Sequence, residues 1–169
     1  MERMWRPWRI RYIEAMGEKK DDACIFCTKP RGDDRESLIL HRGERCFVML
    51  NLYPYNTGHV MVSPYRHLAS LEELDPEEQS EMMRLASLCL RAIRRAMKPE
   101  GFNLGMNLGR VAGAGYDGHV HLHIVPRWQG DTNFMPIVAD TKVMPESVED
   151  SYRRLRVALK EVLGEDGSA

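Results

Sequence analysis

The segment His119-Val-His121-Leu-His123-Ile-Val125 restricts this chain more than any other stretch of it. Side chains on a strand alternate between its two faces. His119, His121 and His123 therefore project from one side, and Val120, Leu122 and Ile124 from the other. Imidazoles two residues apart on such a strand are spaced by ~6.6–6.8 Å. The chain thus needs a sheet with one face turned to an apolar core and one face carrying three imidazoles. Packing gives no reason for that strict alternation, so the row points to chemistry. Two uses fit it. Neutral imidazoles ligate metals, or one ring attacks phosphorus and is later expelled from the phosphoramidate.

The flanks supply the rest of a fold. Leu38–Leu40 and Cys46–Leu50 are short apolar runs around Gly43, which predicts a hairpin. Asn51 to Gly58 reads as a loop, and His59 to Ser63 as a strand stopped by Pro64. Asp75, Pro76 and Glu78 form a capping pattern. Met82, Leu85, Cys89, Ile93 and Met97 then repeat at helical spacing until Pro99 and Gly101, which predicts a helix with a buried stripe. Phe102 to Leu108 and His119 to Val125 read as strands, the second closed by Pro126. A last helix is predicted over Val148 to Leu163, with Val148, Tyr152, Leu155, Leu159 and Val162 inward and a frayed EDGSA tail. Paired strands with two main helices make an α+β fold with a mostly antiparallel sheet. Between the last two strands, Gly109, Gly113, Gly115 and Gly118 allow backbone N–H groups to turn towards an anion. His41 matches no pattern and is expected exposed in a turn.

Composition limits the partners. A 169-residue chain with 43% hydrophobic content is one domain, residues 1–169, with its own core. Lys+Arg 24 against Asp+Glu 25 leaves a net charge of -1, which argues against holding nucleic acid by bulk charge. A small anionic ligand held by local groups stays open. No apolar run approaches the ~20 residues of a membrane span, and the N-terminus has no h-region of a secretory signal. Cys24 and Cys27, two residues apart, suit a metal or redox pair. The expectation is a soluble cytoplasmic protein with no membrane or nucleic-acid partner. The arm over 1–23 alternates Arg3, Arg6, Arg9 and Arg11 with Trp5, Trp8 and Tyr12. Its rings suit docking on the core with the guanidiniums wet, or its Arg forks suit phosphate.

His-x-His-x-His followed by two apolar residues resembles the signature of the histidine triad (HIT) family of nucleotidyl hydrolases and transferases. The resemblance extends over 24–127: the Cys24/Cys27 pair, Asn51, Gly58-His59-Val-Met-Val with Pro64 and His67, and Asn107 before the glycine loop. The arm and Pro126–Pro136 look like the bacterial diadenosine tetraphosphate phosphorylases, and 128–169 is then a C-terminal extension with a helix. The resemblance implies a HIT-like fold with a five-stranded antiparallel sheet, and pairing as a homodimer. It implies that His121 is the nucleophile, forming a covalent nucleotidyl-histidine, with no organic cofactor. His123 would contact the phosphate, and His59 would orient the triad. Asn51 would bind the ribose, and Asn107 would lie near the phosphates. Loop amides around Gly113 and Gly115 would replace the Gln and hydroxyl that hydrolase members carry before the triad, where this chain has Gly115-Tyr116-Asp117-Gly118. Tyr116 is a conceivable proton donor. Cys24, Cys27, His67 and His119 would hold a structural Zn2+. The implied reaction is cleavage of a nucleotide substrate at the α-phosphate, with inorganic phosphate or water as acceptor. A metallohydrolase using all three triad histidines and a nucleotide-binding sensor are the alternatives.

Overall fold

The computed structural model describes residues 24–131 and 143–166, so the Trp/Arg arm and the end of the Pro126–Pro136 segment lie outside the described residues. The predicted hairpin forms from β1 (Ile39–Arg42) and β2 (Cys46–Leu50), paired antiparallel. Gly43 N–H closes its turn on the Cys46 carbonyl at 2.8 Å. His41 lies on β1, half-buried, rather than exposed in a turn, and burial lowers its pKa. β3 (Val60–Pro64) follows, then β4 (Gly101–Gly105) and β5 (Leu122–Arg127). The five-stranded sheet has the order β1-β2-β3-β5-β4 with every neighbour antiparallel. Gly58, which leads into β3, adopts φ +74°; a Cβ there would meet the Met97 sulfur at 2.5 Å.

Several strand limits differ from the sequence reading: β1 runs on to Arg42, and β3 takes in Pro64, paired opposite Cys46, instead of stopping before it. β4 stops at Gly105, short of Leu108. β5 begins at Leu122 and runs through Pro126. Ahead of it, Val120 N–H donates to the Leu68 carbonyl at 2.6 Å, and its own carbonyl accepts from Ser63 Oγ at 3.0 Å. Loop groups therefore hold 119–121 where ladder bonds were expected. Pro126 is tolerated because β3 pairs with β5 only as far as Val60 opposite Ile124. A missing N–H beyond that point costs no bond on that side. The Pro126 carbonyl instead accepts from Asn56 Nδ2 at 3.0 Å. Asp131 accepts from the same amide at 2.9 Å and from the Arg127 guanidinium at 2.6 and 2.8 Å, fastening the 51–58 loop to the end of β5.

The long helices cover one face of the sheet. α1 (Ile25–Thr28) is a single turn on the other face. α2 (Pro76–Met97) starts with the predicted box: Asp75 accepts from Glu78 N–H at 2.8 Å, and Glu78 accepts from Asp75 N–H at 3.0 Å. Met82, Leu85, Cys89 and Ile93 are buried as expected, and Lys98 ends the helix in the left-handed region. Burial raises the Cys89 thiol to about 12, which leaves it inert. α3 (Val148–Asp166) buries Tyr152, Leu155, Leu159 and Val162. It runs three residues past Leu163, because Arg91 pairs with Asp166 at 2.7 Å and Arg95 with Glu165 at 2.6 Å. Val48, Leu50, Val60, Val62, Val120, Leu122 and Ile124 meet these helices in the main core. Ile39, Phe47, Met49 and Met61 face the other way, under Cys24 and Phe26. No helix of the described residues is long and apolar enough to cross a membrane.

Glu81 is a buried charge within the α2 stripe that the hydrophobic repeat did not reveal. Its carboxylate accepts the N–H groups of Glu44, Arg45 and Cys46 at 2.5–2.9 Å and locks the β1–β2 turn to α2. Burial pushes its pKa up, but these three bonds together prevail and hold it low. Arg66 beside Glu78 likewise holds that carboxyl low. A depressed carboxyl stabilises the fold above its unfolded value, about 4.3, and that stability is lost as pH falls through the folded value. Glu81→Ala should cost about 1–3 kcal/mol in urea unfolding at neutral pH. The difference from wild type should shrink as acid protonates the wild-type carboxylate.

Candidate active site and metal centre

The histidine side of the sheet separates into two groups. His119 turns towards α1. Its Nε2–H donates to the Pro64 carbonyl at 3.0 Å, and its Nδ1 lies 3.3 Å from Cys24 Sγ and 3.6 Å from Cys27 Sγ. His67 Nδ1 lies 3.4 Å from Cys27 Sγ. One donor atom from each of Cys24, Cys27, His67 and His119 falls within 4.8 Å of all the others. Zinc bonds of about 2.3 Å to sulfur and about 2.0–2.1 Å to nitrogen imply tetrahedral edges of roughly 3.3–3.8 Å. The observed sulfur–nitrogen distances of 3.3–3.6 Å match those edges. Burial lowers the pKa of His119 to about 4, so its ring is neutral, as a ligand must be. The backbone carbonyl on Nε2 selects Nδ1 as the donating atom. The donor set fits a closed four-ligand zinc.

His121 and His123 form the second group, with ring centroids 4.7 Å apart. His121 Nδ1–H donates to the His119 carbonyl at 2.8 Å, which places the lone pair of the neutral ring on Nε2. Burial lowers the His121 pKa, the hydrogen bond to that carbonyl opposing it, so the ring is neutral near neutral pH. A second chain of hydrogen bonds orders His123. Tyr55 N–H donates to His59 Nδ1 at 3.1 Å, with Asn51 Nδ2 at 3.3 Å from the same atom. His59 must then carry its proton on Nε2, which donates to His123 Nδ1 at 3.0 Å. In the neutral ring His123 thus bears its proton on Nε2. The row offers a bare nitrogen on one ring and an N–H on the next.

His119, His121 and His123 do not converge as one ligand cluster among the described residues. Among the described residues, the histidines of the row enter a metal-ligand cluster only through His119. Asn51 also accepts from Tyr53 N–H at 2.9 Å, so its amide holds the loop beside His59. Asn107 Nδ2 reaches the Gly113 carbonyl at 3.4 Å and tethers the glycine loop, whose Gly113 has φ +86°. Gly115 is exposed in the same loop. Arg110 clamps that loop through Asp117 at 2.8 Å. The Tyr116 hydroxyl faces the Cys24 sulfur, and its pKa rises to about 12, mainly through burial. It is directed to Cys24 of the ligand cluster. Sequence reasoning missed Tyr55, which acts through its backbone and lays its ring 4.8 Å from His59. It also missed Phe26, stacked on His121 at 4.5 Å. The Cys24–Cys27 spacing was a usable signal for Phe26, since two anchored cysteines fix what lies between them.

Comparison with known proteins identifies the family and the fold. The HIT domain family model matches residues 33–130. An AP-4-A phosphorylase of Mycobacterium tuberculosis is 40% identical over 161 residues, covering 92% of this chain and 83% of that protein. Among solved structures, a Zn-bound histidine triad family protein from Mycobacterium smegmatis superposes with TM-score 0.68 at 26% identity, over 85% of this chain and 98% of that one. A hypothetical histidine triad nucleotide-binding protein from Sulfolobus tokodaii gives 0.65 at 29% identity, over 84% and 93%. The chain is thereby an enzyme of the nucleotidyltransferase and hydrolase type that processes nucleotides, and it belongs to the HIT family.

Proposed function

We propose that this enzyme splits diadenosine tetraphosphate by phosphorolysis, through an adenylyl group carried on His121. The observation that carries the reading is the 2.8 Å bond from His121 Nδ1–H to the His119 carbonyl, which leaves Nε2 as the attacking atom. The name of the M. tuberculosis relative supports the substrate. His121 Nε2 attacks one α-phosphorus; the bond from phosphorus to the bridging oxygen breaks, and ATP leaves. The ring keeps its Nδ1 proton and becomes a cationic phosphoramidate, stabilised by the His119 carbonyl. Oxygen of inorganic phosphate then attacks the same phosphorus, the P–N bond breaks, and ADP leaves with His121 restored. His123 Nε2–H stabilises the phosphoryl oxygens in transit, and His59 holds His123 in that tautomer. Asn51 serves the ribose; Asn107 and the amides around Gly113 and Gly115 serve the phosphates.

Cys24, Cys27, His67 and His119 would hold Zn2+ as a cross-link between α1 and the active-site segment, supplying structure rather than chemistry. The protein acts in the cytoplasm and pairs through the edge strand β4, where Asn103, Leu104 and Gly105 are exposed. Product analysis with diadenosine tetraphosphate tests the reaction. ADP and ATP should appear only when phosphate is present. AMP and ATP without phosphate would make it a hydrolase, and no cleavage in either case would remove this substrate. His59→Ala should lower kcat by roughly tenfold to hundredfold, with bound metal unchanged by elemental analysis.

A further inference from the structure

Phe26 lies between two candidate metal ligands of its own turn, Cys24 and Cys27. It is 2% exposed, and its ring stacks on the His121 imidazole with planes 25° apart. The same ring meets His119 at 5.3 Å and the edge of Tyr116 at 6.0 Å. The main core lies across the sheet, so these contacts are not part of it. The geometry points to Phe26 as a positioning residue that transmits the order of the metal centre to the nucleophilic ring of His121.

Mechanics support the link. The His121 hydrogen bond to the His119 carbonyl fixes Nδ1 but leaves the ring able to tilt about that bond. A flat partner held against the ring face removes the tilt and aims Nε2. That partner is only as steady as α1, which has four residues and is far too short to hold itself together. Apolar packing on Ile39, Phe47, Met49 and Met61 seats the ring, and the cysteines at 24 and 27 tie down the turn that carries it. Cross-linking them to His67 and His119 pins Phe26 without any ligand reaching the substrate. Tyr116 meets Phe26 in a T-shaped contact while its hydroxyl faces Cys24.

The inference rests on His121 being the nucleophile, so its test includes a readout independent of turnover. The His121 Cε1–H resonance would be followed by NMR in histidine-labelled protein and assigned with His121→Ala. Stacking under the Phe26 face should shift it upfield in the metal-loaded wild type, and chelation should move it back. Phe26→Leu should retain metal and cooperative melting but show the unshifted resonance already. Its kcat should fall roughly tenfold to hundredfold with KM little changed, and chelation should lower it further by less than about twofold. Should Phe26→Leu lose metal, Phe26→Met carries the same comparison. Wild-type turnover in the variant, equal effects of chelation on both proteins, or a resonance unmoved by chelation would overturn the link. If the loaded wild type cleaves no dinucleotide, the phosphorylase reading fails, and the resonance still decides the link.

Discussion

His121→Ala should abolish turnover, with kcat falling by a factor on the order of 10^4 to 10^6, the scale for losing a nucleophile. In the proposed mechanism the substitution removes the attacking atom, and no neighbour replaces it. His119 has its donor atom among the cysteine sulfurs, and His123 presents an N–H to the site once His59 has donated to it. The fold should persist at a somewhat lower melting temperature, because the ring's stacking on Phe26 is lost while the helix-backed core across the sheet is untouched. Metal content should match wild type, since its ring is outside the ligand set. A quenched reaction of wild type with diadenosine tetraphosphate, phosphate withheld, should show an adenylyl mass increment on the peptide containing His121. The variant should show none. Full activity in His121→Ala, or an increment on another residue, would sink the covalent mechanism.

Loss of the metal should act on stability first. Cys27→Ser removes a ligand that bridges His67 and His119, so two sulfur–nitrogen edges of the cluster go at once. If the cation is bound at about a thousandfold over its dissociation constant, its loss costs about 4 kcal/mol. At ~2–4 °C per kcal/mol for a chain of this size, the melting temperature should drop by roughly 8–16 °C. Chelation of wild type should reproduce the drop, and added zinc should reverse it in wild type but not in the variant. A melting temperature unmoved by both treatments would show that these four residues hold no structural ion. His121→Ala and Cys27→Ser should thus part in kind, the first keeping its metal and losing turnover outright, the second losing metal and melting temperature while keeping part of its turnover.

The sequence made one-dimensional patterns legible, and these recur in the structure. Alternation at 119–125 sorted Val120, Leu122 and Ile124 into the helix-backed core and the imidazoles onto the other face. The Asp75–Glu78 box and the Gly43 hairpin are local and appeared as expected. What stayed hidden depends on partners distant in sequence. Pro126 continues a strand because β3 has already ended beside it. The last turn of α3 persists because arginines of α2 meet Asp166 and Glu165. Glu81 is a charge in an apolar stripe whose reason is a turn 35 residues away. For the site, the Cys24/Cys27/His67/His119 cluster and the row of imidazoles follow from residue types. The tautomers do not, since they depend on backbone groups such as Tyr55 N–H and the His119 carbonyl.

The sheet acts as a partition. On one side α2 and α3 supply the large buried stripe; on the other lie one helical turn, loops, a smaller apolar cluster and the histidine row. A strand can exchange a residue on one face while its neighbours on the other keep their register. Drift in what this enzyme accepts can therefore proceed on the loop side while the cooperative unit behind it stays intact.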